Sequence, residues 1–132
     1  MAKHRNFPED IKIGAPFSNV VLDGDDAFLS GLVAADVEAG LAVLGDIRAE
    51  TAVVMKTIGF LLGEVGLDMS DILRCDVHLT DLGEMDAMNE VYGSFFEAGR
   101  YPARTTTQSG ALFGGCRVEI TCMARRRPGR KN

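Results

Sequence analysis

The residues best suited to chemistry in this chain are Tyr101-Pro102-Ala103-Arg104-Thr105-Thr106-Thr107, where a rigid proline turn delivers an arginine at the first residue of a strand, followed by three hydroxyl residues. Proline fixes its own backbone angle and disfavours helix in Tyr101 before it, which suits a turn ahead of the strand. A planar guanidinium can give two parallel hydrogen bonds to a carboxylate and so fix its orientation as well as its charge. The same residues also fit a structural arginine paired with Glu119 or with a neighbour's carboxylate, and threonines favour strands without any function. His78, one of two histidines with His4, fits either an acid–base role or a solvated strand position. No glycine-rich phosphate loop, G-x-S-x-G elbow, H-E-x-x-H pair or metal-like His/Cys cluster occurs in the sequence.

The elements that must hold Arg104 are readable from periodicity. Val20 to Leu22, the turn Asp23-Gly24-Asp25, and Ala27 to Leu32 predict a β-hairpin. After a loop with Gly40 and Gly45, Asp46 is a candidate N-cap. Ile47, Val54, Ile58, Leu61 and Val65 then recur at helical spacing up to Gly66, which suits the left-handed position after a helix. Leu73, Cys75, Val77 and Leu79 alternate with Arg74, Asp76, His78 and Thr80, predicting a strand with one buried face. From Leu82 to Glu97, Met85, Met88, Tyr92, Phe95 and Phe96 predict a second amphipathic helix whose apolar stripe is core. Strands over Arg104–Gln108 and Arg117–Ala124 complete a β-β-α-β-α-β-β order, an α+β fold with a mixed sheet and two helices packed on one face. The opposite face, with Arg74, Asp76, His78, Arg117, Glu119 and Thr121, is too polar for a core, and subunit association around it is expected.

At 132 residues, 46% hydrophobic and 25% charged, the chain has the size and composition of one folded domain. No apolar stretch reaches the roughly 18 residues of a membrane span, and the charged start, with Lys3, His4, Arg5, Glu9 and Asp10, does not read as a secretory signal. A cytoplasmic protein with no membrane association is expected. Cys75, Cys116 and Cys122 are odd in number and lack C-x-x-C spacing, which predicts reduced, buried thiols. Against a net charge of −5, basic residues crowd at Arg125, Arg126, Arg127, Arg130 and Lys131; with Pro128 and Gly129 beside them they read as a solvated, frayed tail, and nucleic-acid binding is not expected.

Pro102-Ala103-Arg104-Thr105 together with Val118-Glu119-Ile120 resembles the signature of the reactive intermediate deaminase (Rid) family, also called the YjgF family. Ala15-Pro16-Phe17-Ser18, Phe28-Leu29-Ser30-Gly31 and Met88-Asn89-Glu90-Val91-Tyr92 with Phe95-Phe96 are similar to further elements of that family, in the same order from about Ile13 to Ala124. The resemblance implies a chorismate-mutase-like subunit assembled as a homotrimer, with sites in the clefts between subunits. It also implies hydrolysis of enamines and imines such as 2-aminoacrylate to 2-keto acids and ammonia, with no metal or organic cofactor. Carried over by position, Arg104 holds the substrate carboxylate and Glu119 orients water or accepts its proton. Phe17, Ser30, Gly31, Asn89 and Thr106 line the site, the last of them standing where several members have cysteine. Phe17 replaces a frequent tyrosine and Leu32 a frequent glutamine, which implies a more apolar pocket, and these two departures favour the alternative of a non-catalytic trimer that binds small carboxylates.

Overall fold

The computed structural model of the chain describes residues 2–7 and 14–128; residues 1, 8–13 and 129–132, among them Glu9, Asp10, Ile13, Gly129, Arg130 and Lys131, lie outside it. In chain order the elements are β1 (Lys3–Arg5), β2 (Val20–Asp23), β3 (Asp26–Leu29), β4 (Leu32–Val33), α1 (Glu38–Leu41), α2 (Ile47–Glu64), β5 (Ile72–Leu79), α3 (Met85–Gly93), β6 (Ala103–Gln108) and β7 (Val118–Arg125). The strands form one mixed sheet in the order β1-β2-β3-β7-β5-β6, with β4 also paired to β7. Every pairing is antiparallel except β5 with β6, which is parallel and leaves β6 at the edge.

The hairpin, the two main helices and the three later strands expected from periodicity are present, and the departures have local causes. The amino-terminal segment adds β1 along β2, which the charge of Lys3-His4-Arg5 had hidden because an exposed edge strand carries no apolar alternation. The expected second strand of the hairpin splits at Ser30-Gly31 into β3 and β4, and the Gly40 loop contains the short α1. In β5 the pairing register shifts between Ile72 and Arg74, so Ile72 is buried and Leu73, expected inside, is 48% exposed. The helix expected to run to Glu97 stops at Gly93. Beyond it the backbone turns with Phe95 and Phe96 bonding to residues three back, and the Ser94 hydroxyl donates to the Val91 carbonyl at 2.6 Å.

The core lies between one face of the sheet and the helices. It joins Val54, Met55, Ile58 and Leu62 of α2 and Met88 and Tyr92 of α3 to Val77 and Leu79 of β5 and Val118 and Ile120 of β7. Asp46 caps α2 by accepting the Ala49 N–H at 3.1 Å, and Gly66, with φ of 79°, takes the left-handed position beyond its end. Three arginines of the expected frayed tail are instead fastened, while Arg130 lies outside the described residues: Arg125 pairs with Asp26, Arg126 donates to the Val65 and Gly66 carbonyls, and Arg127 pairs with the buried Asp71 at 2.9 Å. The Arg126 guanidinium, on the two carbonyls just beyond the end of α2, also complements its dipole. Among the described residues no helix is long and apolar enough to cross a membrane.

Candidate active site

Pro102 leads into β6, and the parallel register places Arg104 beside Cys75 and Thr106 beside Val77, on the sheet face that carries the helices. At the edge of that face, α3 overhangs the strand. Asn89 and Tyr92, three residues apart and therefore on one side of the helix, both meet the guanidinium. Arg104 Nη1 donates to Asn89 Oδ1 at 2.7 Å, and the guanidinium carbon sits 4.9 Å from the Tyr92 ring centroid, a cation–π distance. Among the described residues this leaves most of the five guanidinium donors for an incoming anion. The group opens into a cavity of about 410 Å³ lined by Asn89, Tyr92, Gly93, Tyr101, Pro102 and Arg104. Its walls are aromatic and apolar apart from Asn89 and the arginine, and Phe96 packs against both tyrosines, with ring centroids 5.1 Å from Tyr92 and 6.4 Å from Tyr101.

The floor beneath Arg104 is polar in a second way. The Tyr92 hydroxyl is buried without a hydrogen-bond partner of ordinary geometry among the described residues, and burial, with the Cys75 thiol beside it, pushes the phenol well above its usual range. The Thr106 hydroxyl is likewise buried without a partner among the described residues. Tyr92 is the site residue that sequence reasoning did not place: it is legible only as part of an apolar stripe, although its i+3 relation to Asn89 puts it beside any ligand of that residue, whereas Tyr101 belongs to the segment singled out around Arg104.

Glu119 belongs to the other face. It pairs with His78 across β5 and with Val33 across β4, and it projects with Thr121 toward Gly31. A side chain at Gly31 would put its Cβ 2.7 Å from Glu119 Oε2 and 3.0 Å from Thr121 Oγ1, so glycine is what leaves the carboxyl its place. Ser30 uses its hydroxyl to hold the preceding loop, donating to the Ser18 carbonyl at 2.6 Å, and Phe17, half-buried, turns there with its N–H on the Ala15 carbonyl. The other polar groups of this face are tied laterally, Arg74 to Asp76 and Thr105 and His78 to Thr107, while Arg117 instead reaches Glu84 at 2.7 Å, which raises its guanidinium pKa.

The expected site residues therefore fall into two groups. Arg104, Asn89 and Thr106 sit on the helix side of the sheet; Glu119, Gly31 and Ser30 sit with the open face and its loop, so the alternative of an Arg104–Glu119 salt bridge within one chain is ruled out by strand parity. Leu32 is a correction: it pairs with Ile120 and is buried in the core, away from the Arg104 cavity, and does nothing to make that cavity apolar. Tyr92, Tyr101 and Pro102 do so instead.

A family model described as Endoribonuclease L-PSP matches residues 8–126. Protein DfrA of Myxococcus xanthus is 42% identical over 111 residues, covering 83% of this chain and 84% of its own. The human 2-iminobutanoate/2-iminopropanoate deaminase is 31% identical over 109 residues, covering 83% and 79%. Among solved structures, a member of the YjgF protein family from Neisseria meningitidis superposes with a TM-score of 0.76 at 26% identity over 98% of both chains. A conserved Rid-family protein of unknown function from Yersinia pestis shares the fold, with a TM-score of 0.87 at 24% identity over 96% of this chain and 100% of that one. A matching model across most of the chain and relatives of this similarity lead to one conclusion: the chain belongs to the YjgF/Rid family.

Proposed function

We propose that this protein hydrolyses 2-imino acids to 2-keto acids and ammonia, in sites assembled between the subunits of a homotrimer. The observation that carries this reading is the Arg104 guanidinium, oriented by Asn89 and the Tyr92 ring at the mouth of a largely apolar cavity. In that setting Arg104 takes the carboxylate of the imino acid, and the aromatic walls take its side chain. Water adds to the imine carbon as the nitrogen gains a proton; the carbon–nitrogen bond then breaks, ammonia leaves, and the carbonyl forms. A protonated imine is already electrophilic, so positioning and one proton relay are what the protein has to contribute. Glu119 is the group for that relay, contributed with Gly31 and the Phe17–Ser18 loop by a neighbouring subunit, because within one chain it lies on the far face of the sheet.

The test generates imino acids from several amino acids with an amino-acid oxidase and follows decay of the free imine. Faster decay with the protein, lost in Arg104→Ala, is the expected result; a variant that turns over as fast as the parent rejects the reading. A second reading, a trimer that captures small carboxylates without turnover, draws on the separation of Arg104 from Glu119 within the subunit. Saturable keto-acid binding by a protein that accelerates no imine would select it. Arg125, Arg126 and Arg127 each have partners within the chain, which weighs against a nucleic-acid surface built on them.

A further inference from the structure

Beneath the Arg104 cavity, Cys75 and Cys122 face each other as directly opposed residues of β5 and β7, with their sulfurs 3.2 Å apart and both side chains buried. Opposed residues on antiparallel strands have Cα atoms about 4.5–5.5 Å apart, inside the span of about 4.4–6.8 Å that disulfides bridge. The two strands therefore already hold the thiols where a bond can close by a short movement of the sulfurs to about 2.05 Å. We propose that Cys75 and Cys122 are a peroxide-oxidisable thiol pair, with Cys75 the nucleophile and Cys122 the resolving thiol, closing to an intramolecular disulfide beneath the arginine site.

The roles follow from what surrounds each sulfur. Cys75 is the β5 neighbour of Arg104, whose positive charge favours its thiolate, and it faces the Tyr92 hydroxyl, a donor without another partner among the described residues. The Cys75–Cys122 hydrogen bond, in which either thiol can be the donor, together with the phenol and the charge holds the Cys75 pKa below the ordinary thiol value against the opposing effect of burial. The Cys122 thiol is pushed well up, first by that same hydrogen bond and then by burial. Arg104 and Tyr92, the neighbours of Cys75, both line the open cavity, while Cys75 itself is fully buried behind them, so a water-sized oxidant has to pass between these two side chains to reach it. There the thiolate attacks one oxygen of hydrogen peroxide and the O–O bond breaks. Cys75 becomes a sulfenic acid and hydroxide leaves. Cys122 then attacks the Cys75 sulfur, the sulfenic oxygen departs with the thiol proton as water, and the disulfide forms. In total two thiols and one peroxide give one disulfide and two waters.

Cys116 is an internal control. It is buried elsewhere, against Ala34 and Ala35, and burial raises its pKa, so it remains a thiol under conditions that oxidise the pair. The test treats the full-length protein with hydrogen peroxide, denatures it, alkylates free thiols and maps peptides. One alkylated site at Cys116, a Cys75–Cys122 crosslinked peptide in monomeric chains, and a mass lower by two hydrogens are expected. In Cys122→Ser the reaction stalls at Cys75 as a sulfenic acid that dimedone traps; in Cys75→Ser, Cys122 stays unmodified over the same exposure. Three alkylatable thiols after treatment of the unsubstituted protein, or oxidation that begins at Cys116 or Cys122, would overturn the proposal. The thiol count needs no variant to fold and no imine to turn over.

Discussion

Asn89 sets how much of the arginine is available to a substrate. Its side-chain oxygen takes one guanidinium donor and, with the Tyr92 face below, fixes the plane of the fork while the remaining donors face the cavity. A hydrogen bond to a charged group contributes about 1.5–3 kcal/mol, so Asn89→Ala is expected to raise KM for an imino acid by about tenfold. The effect on kcat should be smaller, because in the proposed site Asn89 orients Arg104, the group assigned to the carboxylate, and not Glu119, the group assigned to the proton. Steady-state rates over a range of imine concentrations separate the two; a fall in kcat with KM unchanged would assign Asn89 to the chemical step.

Elements matter here through close approaches and pairings. Gly40 in α1 is packed so tightly that a Cβ there would lie 1.8 Å from the Ala34 carbonyl oxygen, a backbone atom with no rotamer to escape into. Gly40→Ala is expected to cost at the upper end of the about 1–3 kcal/mol typical of overpacking, read as a lower urea midpoint. At the β3–β7 pairing Arg125 holds the Asp26 carboxyl below its ordinary pKa, first through their hydrogen bond. A carboxyl whose folded pKa is depressed stabilises the fold above its unfolded value and loses that effect as pH falls through the folded one. The stability gap between the parent and Asp26→Asn, measured by urea unfolding, should therefore be widest near neutrality and close in acid. Both features were beyond sequence reading: Gly40 looked like a loop glycine because its constraint comes from Ala34, and Arg125 looked like tail because its partner lies on another strand. What period and punctuation do carry, the Asp46 cap, the Gly66 stop and the buried faces of α2 and β7, was legible because each depends on residues within one segment. Leu73 and the end of α3 were misread where a bulge and a serine-capped turn override the local period.

At the scale of the molecule, sheet parity settles what one subunit can contain. Arg104 and Glu119 project from opposite faces, so the proposed site, which uses both, requires two copies, and light scattering of the purified protein is expected to report a trimer. Mixing Arg104→Ala with Glu119→Ala subunits, each inactive alone, should restore about a quarter of the parental rate after exchange, since a cyclic trimer then pairs an intact arginine with an intact glutamate at random. A mixture as inactive as its components would place both groups in the same subunit's site. The division of the sheet also reaches heredity: a cell carrying one defective gene copy altered at Arg104 and another altered at Glu119 would regain function from two broken products. Lesions at Arg104 and Asn89, on the same side of the sheet, could not rescue each other, so the two faces of a single sheet would behave as separate complementation groups.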